Sequence, residues 1–419
     1  MNIAAALRAR SVWLDPDADV DLLGLAGGDG WVWERERCGF AGRGVALRIP
    51  LAGGIRSAAE TVAEALASIR SEDTVGVPGS SPVAVGALPF DRSAPAELVV
   101  PELVVGRSRE GRCWLTTIGE EIDPDRVLAG LVHAPAQDPD GFALSSPIPH
   151  EEWMGLVGRA VADIEAGRLS KVVLAREIGV TANRPIHVET VLRRLRSLYP
   201  ACTLVSAATA GPDDSRFVAA SPELLVSRIG DHVRSHPLAG TIPRSGDAEA
   251  DRLLAEALLG SAKDRAEHAW VVRDVETTLA PWCSSLAVPD SPSIVSLRNV
   301  SHLGTLIEGR LAGGSPPTAL TLAAALHPTA AVAGTPRDAA LTWLTEHEHL
   351  DRGPYAGPVG WVDGRGDGEW VVGIRSAVVS GSTARMFAGV GVVDGSDPAA
   401  ELAETQFKLQ ALLAAIVRP

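Results

Sequence analysis

The chain has 419 residues, of which 46% are hydrophobic and 21% charged, a composition typical of globular proteins. Its 38 lysine and arginine residues against 52 aspartate and glutamate residues give a net charge of -14. This argues against nucleic acid as a partner, because phosphate binding needs clustered basic residues. There is no signal-peptide pattern, no run of roughly 18 uncharged apolar residues and no CxxC pair, so we expect a soluble cytoplasmic protein with reduced cysteines and no membrane partner.

Short apolar runs alternate with glycine-rich breaks over the first 135 residues, and this pattern predicts a meandering sheet. The segment 134–149 is rich in proline, aspartate and serine and predicts a long connection. This gives a strand-rich lobe at 1–150 and a second region at 151–419. The connection is compatible with two lobes of one domain and with two domains.

The second region mixes both kinds of secondary structure. Apolar spacing predicts a helix over 151–167 and a strand over 170–180. Further strands are predicted at 202–208, 216–220, 224–229 and 359–362. Because these elements follow no strict βαβ order, the sequence favours an α+β fold over a doubly wound one.

A helix bearing two carboxylates is predicted to begin at Ser261. This serine fits an N-cap, and Asp264 places an acid in the first turn. Asp264 and Glu267 then share one face, beside an apolar stripe. The predicted stripe consists of Trp270, Val271, Val275 and Leu279.

A second such helix is predicted to begin at Asp397, which is followed by a proline suited to the first helical position. Glu401, Glu404 and Lys408 lie along one of its faces. If the two acidic faces met, a hard cation such as magnesium would be needed to offset the repulsion among four carboxylates. The alternative is two solvated faces with local ion pairs, such as Glu404 with Lys408, and spacing alone does not decide between them.

Nine motifs in a fixed order resemble the chorismate-utilising enzymes, a family that includes isochorismate, salicylate, anthranilate and aminodeoxychorismate synthases. They are SKVVLAR at 170–176, SPELLVSR at 221–228, HPLAGT at 236–241, SAKDRAEHAWVV at 261–272, SHLGT at 301–305, HPTAAVAGTP at 327–336, YAGPVGW at 355–361, WVVGIRSA at 370–377 and AGVGVVDGSDPAAELAETQFK at 388–408. The resemblance implies large antiparallel sheets in a sandwich flanked by helices, in a single domain with two lobes. It also implies a monomer whose substrate is chorismate.

The same resemblance implies a role for individual residues. Lys171 would be the general base that activates water, and Glu223 the general acid that protonates the leaving hydroxyl group. Glu267 and Glu404 would hold Mg²⁺, with Asp264 and Glu401 orienting its waters. The residues that would bind the substrate are Gly240, Thr241, His302, Tyr355, Arg375, Gly389, Gly391 and Lys408.

Within the family, Lys171 indicates water as the nucleophile, because the ammonia-using members lack that base. Ala239 argues against the aminodeoxychorismate synthases, which carry a lysine there. The small Ala331 favours isochorismate as the product, with a salicylate synthase as the alternative. A non-catalytic homologue is the third possibility, and the presence of all the catalytic side chains argues against it. The motif at 327–336 departs from the family pattern at Ala330, where a proline is usual, and at Ala333, where a glycine is usual.

Overall fold

The computed structural model describes residues 7–119, 137–209 and 215–417. The α-helices of these residues are α1 (Leu22–Ala26), α2 (Ile55–Ala67), α3 (His150–Glu165), α4 (Val188–Leu198), α5 (Ala248–Gly260), α6 (Ala262–Leu279), α7 (Ala319–Leu326), α8 (Arg337–His347) and α9 (Pro398–Val417). The strands that begin before residue 200 are β1 (Arg8–Trp13), β2 (Trp31–Arg35), β3 (Cys38–Arg43), β4 (Leu47–Leu51), β5 (Arg70–Asp73), β6 (Val83–Ala87), β7 (Ala96–Val100), β8 (Leu103–Arg107), β9 (Cys113–Ile118), β10 (Phe142–Ser145) and β11 (Lys171–Ala182). The later strands are β12 (Thr203–Ala208), β13 (Arg216–Ser221), β14 (Leu224–Ile229), β15 (His232–His236), β16 (Leu238–Pro243), β17 (Cys283–Ala287), β18 (Ser293–Ser296), β19 (Val300–Gly304), β20 (Ile307–Leu311), β21 (Gly334–Thr335), β22 (Pro358–Asp363), β23 (Gly368–Val372), β24 (Ser376–Ser380) and β25 (Thr383–Val392).

The strands form two large sheets and a small one. The first large sheet has the order β10-β11-β25-β24-β13-β12-β2-β3-β8-β9-β1-β5, with β21 beside β11. The second has the order β17-β20-β15-β14-β23-β22-β6-β7-β4, and the small sheet has the order β16-β19-β18. Neighbouring strands are antiparallel except for β1 and β5, which are parallel. Each large sheet combines strands from before and after residue 150, and the protein is a single α+β domain, as predicted. The boundary between lobes at residue 150 stays a prediction.

Aromatic side chains fill the space between the two large sheets. Phe40 of the first sheet contacts Trp361 of the second, with ring centroids 5.1 Å apart, and Phe40 also packs 5.0 Å from Trp31. Burying a side chain of this size stabilises the fold by about 1.5–3 kcal/mol. The predicted sandwich is therefore confirmed.

Within the described residues, no helix is both long enough and apolar enough to cross a membrane.

The predicted connection at 134–149 lies outside the described residues as far as residue 136. Its described part contains strand β10, which pairs with the end of β11. The strand β10 within this connection was not predicted. The reason is that Phe142 and Leu144 gain backbone partners on an edge strand that composition does not reveal.

Both predicted carboxylate helices are present, and each begins with the predicted cap. Ser261 Oγ accepts the Asp264 N–H at 3.2 Å, and Asp397 Oδ1 accepts the Ala400 N–H at 2.8 Å. The predicted stripe of α6 was wrong at Trp270, which is 41% exposed. His268 is buried in its place, because 268, 271, 275 and 279 share one helical face, whereas residue 270 lies about 100° from residue 271.

Candidate active site

One open cavity collects all the predicted site residues except Lys171. Those that line it are Glu223, Gly240, Thr241, Asp264, Glu267, His302, Tyr355, Arg375, Gly389, Gly391, Glu401, Glu404 and Lys408. The cavity is open to solvent, and the space within and around its mouth amounts to about 890 Å³. Strands β11, β16 and β25 and helices α6 and α9 contribute to its wall.

Lys171 lies immediately behind the wall. Its Nζ is 3.0 Å from Glu267 Oε1, and only 1% of the side chain is exposed. Val173 of β11 pairs with Gly391 of β25. A Cβ at Gly391 would overlap Glu267 Oε1 and lie 2.8 Å from Lys171 Cε. The glycine therefore leaves the space in which the lysine and the glutamate meet.

Gly391→Ala is expected to lower kcat/KM about 100-fold, since a methyl group here displaces both members of the Lys171–Glu267 pair and small misplacements of reacting groups have effects of this order. Gly158→Ala on α3 is the matched control, because a Cβ there meets nothing within 4 Å. Steady-state kinetics of the two variants would check this, with circular dichroism to verify folding. Equal activity of the two variants would contradict the placement.

A chain of hydrogen bonds fixes Arg375 at the floor of the cavity. Its Nη2 donates to His302 Nε2 at 3.0 Å, so that nitrogen must be an acceptor. His302 Nδ1 lies 3.1 Å from the Gly240 carbonyl and 3.2 Å from Thr241 Oγ1, and it donates the other ring proton. Burial, followed by the positive charge of Arg375, holds the pKa of His302 well below its usual range. The histidine is therefore neutral and orients the guanidinium.

Arg375 keeps unused capacity to bind an anion. It is 8% exposed, and burial lowers the pKa of its guanidinium. Across 7–119, 137–209 and 215–417, no carboxylate forms an ion pair with it, and its buried Nε has no hydrogen-bond partner. A buried, unpaired guanidinium is costly unless a ligand supplies the negative charge. The position therefore suits a substrate carboxylate, which arginine can bind through two parallel bonds.

Tyr355 supplies a hydroxyl group to the same cavity. It is 4% exposed and stacks on Phe387 with centroids 5.2 Å apart. Burial raises its pKa to about 12, so the hydroxyl remains protonated and able to donate. A Cβ at Gly389 would lie 2.7 Å from Tyr355 Oη, so the glycine keeps this hydroxyl accessible.

Glu223 occupies the connection between β13 and β14. Its carbonyl accepts the Val372 N–H at 3.1 Å and its N–H donates to Ser221 Oγ at 3.3 Å, so the backbone is held on both sides. The side chain is 4% exposed, and burial raises its pKa to about 7 against the opposing effects of a backbone hydrogen bond and of Lys171. A carboxyl group with this pKa is available as an acid near neutral pH.

Four carboxylates from α6 and α9 face one another across the cavity. Burial raises the pKa of Asp264, and the negative charges of Glu267 and Glu404 raise it further. Burial also raises the pKa of Glu401, again with Glu404 and Glu267 adding to the effect. The two acidic helix faces therefore meet, as the sequence analysis considered, and their carboxylates repel one another.

Lysines compensate part of this charge. Lys408 Nζ lies 2.6 Å from Glu404 Oε1 and donates to the Gly389 carbonyl at 2.9 Å. Lys263 Nζ lies 3.6 Å from Glu401 Oε1 and lines the cavity. No role was predicted for Lys263, although its position one residue before Asp264 is a signal in the sequence.

Sequence reasoning also missed a buried ion pair beneath the cavity. Arg352 Nε and Glu348 Oε1 are 2.6 Å apart, and both side chains are almost fully buried. Their spacing of four residues is typical of exposed helix pairs, so the sequence gives no sign of burial. Arg352 itself lines the cavity.

Comparison with known proteins places this site in a family. Residues 28–417 match the family described as chorismate binding enzyme. The chain belongs to this family. It is 41% identical over 342 residues to the isochorismate synthase DhbC of Bacillus subtilis, covering 80% of this chain and 81% of the relative. It is 35% identical over 333 residues to the isochorismate synthase EntC of Escherichia coli, covering 80% and 81%.

A solved structure agrees over nearly the whole chain. The menaquinone-specific isochorismate synthase MenF of Escherichia coli superposes with a TM-score of 0.81 at 25% identity, covering 98% of this chain and 95% of that one. The cavity described above is thus that of a chorismate-binding enzyme, and its anion-binding groups suit a substrate with two carboxylates.

The donor set of this chorismate-binding enzyme fits a hard cation. Its four carboxylates supply only oxygen donors, and the raised pKa values of Asp264 and Glu401 show a local excess of negative charge. No three carboxylate, histidine or cysteine groups of the described residues form a preformed metal cage. Magnesium commonly keeps several waters and binds through one or two protein carboxylates, so it does not require such a cage.

Proposed function

We propose that this chain is an isochorismate synthase, which converts chorismate to isochorismate by adding water at C2 and releasing the C4 hydroxyl group. The observation that carries the proposal is that Glu223, with a pKa of about 7, and the buried Lys171 flank the same cavity as the unpaired Arg375. The curated relatives named isochorismate synthase support the same reaction.

The proposed reaction needs two proton transfers. Lys171 accepts a proton from the attacking water as the oxygen bonds to C2. Glu223 gives its proton to the C4 oxygen as that bond breaks, and the group leaves as water. Because one water enters and one leaves, the reaction is an isomerisation, with the lysine ending protonated and the glutamate ionised.

Substrate binding uses the opposite charges of the cavity. Arg375 and Tyr355 hold the enolpyruvyl carboxylate, together with the backbone of Gly389 and Gly391. Gly240 has a φ of 74°, which favours glycine, and a Cβ there would lie 3.1 Å from Asp264 Cβ. It lets the strand bearing Thr241 approach α6 closely.

Glu267 and Glu404 would hold Mg²⁺, with Asp264 and Glu401 orienting its waters. When bound, the ion supplies positive charge that offsets these carboxylates and binds the ring carboxylate of chorismate. We expect EDTA to reduce turnover at least 100-fold and added MgCl₂ to restore it. Activity that persists after extensive chelation and metal analysis would refute the requirement.

The decisive experiment uses the purified protein, chorismate and MgCl₂ in ¹⁸O-labelled water. The products are separated by chromatography, and their masses are measured by mass spectrometry. Isochorismate with one ¹⁸O atom is the expected product. Salicylate with an equal amount of pyruvate would instead indicate a salicylate synthase. Unchanged chorismate, with or without ammonia, would refute an enzymatic role.

We further propose that the protein acts as a cytoplasmic monomer without nucleic-acid or membrane partners. The net charge of -14 supports the lack of nucleic-acid binding. Size-exclusion chromatography with light scattering should give a mass near 43.7 kDa, and a mass of twice that value would contradict the monomer.

A further inference from the structure

A short segment at residues 329–333, which we name the cavity loop, joins α7 to β21. Ala331 and Val332 of this loop line the cavity. The loop contributes no charged side chain, so it contributes to the site through the shape it gives the cavity wall. The contacts that hold the loop in this shape therefore bear on function.

Asp274 of α6 anchors the first half of the cavity loop. Its Oδ2 accepts the Ala330 N–H at 2.9 Å, and its Oδ1 accepts a bond from Arg337 Nη2 at 2.9 Å. The Asp274 and Arg337 side chains are 24% and 22% exposed, so the pair is largely shielded from solvent. The helix that carries Asp264 and Glu267 is thereby tied directly to the loop.

This anchor depends on the backbone N–H of Ala330. A proline at this position would have no N–H to donate. Asp274 therefore restrains a backbone that lacks the stiffness of a proline ring. The N–H of Ala330 thus has a hydrogen-bonding partner on α6.

Arg352 anchors the second half of the loop. Its Nη1 donates to the Val332 carbonyl at 3.0 Å and its Nη2 to the Val173 carbonyl at 2.7 Å. Glu348 holds Arg352 and also accepts the Ala175 N–H at 2.8 Å. Ala331 thus lies between one anchor on α6 and a second anchor, Arg352, which is itself bonded to β11.

We propose that Asp274 is a positioning residue that keeps the cavity loop in its binding-competent shape. The identity of the ligand rests on the function proposed above. Without the anchor, the loop samples other shapes, and apparent affinity falls by the fraction of molecules that are competent. Once substrate is bound, the reacting groups are unchanged, so the effect belongs in KM rather than in kcat.

Asp274→Ala is expected to raise the KM for chorismate roughly tenfold, the size of one charged hydrogen bond, while kcat stays within about twofold. Asp274→Asn keeps an oxygen for the Ala330 N–H and should recover most of the loss. Glu276→Ala is the matched control, because Glu276 is an exposed carboxylate of the same helix. A lower melting temperature with unchanged KM would indicate a purely structural role and overturn the proposal.

Hydrogen–deuterium exchange gives a second readout that does not depend on turnover. The Ala330 amide should exchange at least tenfold faster in Asp274→Ala than in the parent protein or in Glu276→Ala. Equal exchange in all three proteins would overturn the anchor itself. If the parent protein made no isochorismate, the proposed function would fail while the exchange result still decided whether Asp274 holds the loop.

Discussion

Lys171→Ala is expected to reduce kcat for isochorismate formation about 1000-fold, within the range of general-base catalysis. The amino group that lies 3.0 Å from Glu267 Oε1 is lost, and no other described lysine lies in an equivalent position between β11 and α6. The measurement is the initial rate of isochorismate formation at saturating chorismate and MgCl₂.

Lys171→Arg is the control that separates a base from a structural cation. Arginine can still pair with Glu267, but it does not lose its proton near neutral pH. We expect this variant to bind chorismate, as judged by calorimetry, and to remain inactive. Turnover near that of the parent protein would refute Lys171 as the base and leave it only the ion pair.

Local signals explain why much of the site was predictable. The caps at Ser261 and Asp397 require only a side chain and an N–H three residues later, so the sequence locates the starts of α6 and α9. The strand predicted at 170–180 is observed as Lys171–Ala182 for a similar reason, since alternation is a property of the strand alone. Helices α6 and α9 carry the four carboxylates of the cavity wall.

Features that depend on distant neighbours were not predictable in this way. The close approach of Gly391 to Lys171 arises from the pairing of β25 with β11, which lie about 200 residues apart in the chain. The buried Glu348–Arg352 pair contacts β11 and the cavity loop, which are distant in the chain. Motif resemblance located the residues, but it did not reveal these contacts.

The proposed base does not line the cavity itself. Glu267 lies in the cavity wall, and Lys171 lies behind it, 3.0 Å from Glu267 Oε1. The pair links the base to a predicted metal ligand, so whatever binds Glu267 also changes the partner of Lys171. Substrate and cation binding are thereby expected to alter the surroundings of the base.

Glu223→Gln is expected to lower kcat by about 100-fold to 1000-fold, because an amide cannot supply the proton that the departing hydroxyl needs. The amide has nearly the same shape and removes a buried ionisable group, so folding should be preserved. Chorismate affinity should change little, since Arg375 and the carboxylate wall are untouched. A variant with more than half of the parent rate would refute the acid role.

The pH dependence tests the same residue independently. Burial raises the pKa of Glu223 from 4.5 to about 7, so its acid form prevails below about pH 7 and is lost above it. We expect the kcat of the parent protein to fall as pH rises through 7, and the residual rate of Glu223→Gln to lack this decline.

Because the pKa of Glu223 is raised in the folded state, its ionisation opposes folding, and up to about 3 kcal/mol of stability is lost between pH 4.5 and 7. The melting temperature of Glu223→Gln should therefore fall less between pH 5 and 8 than that of the parent, and parallel curves would contradict the raised pKa.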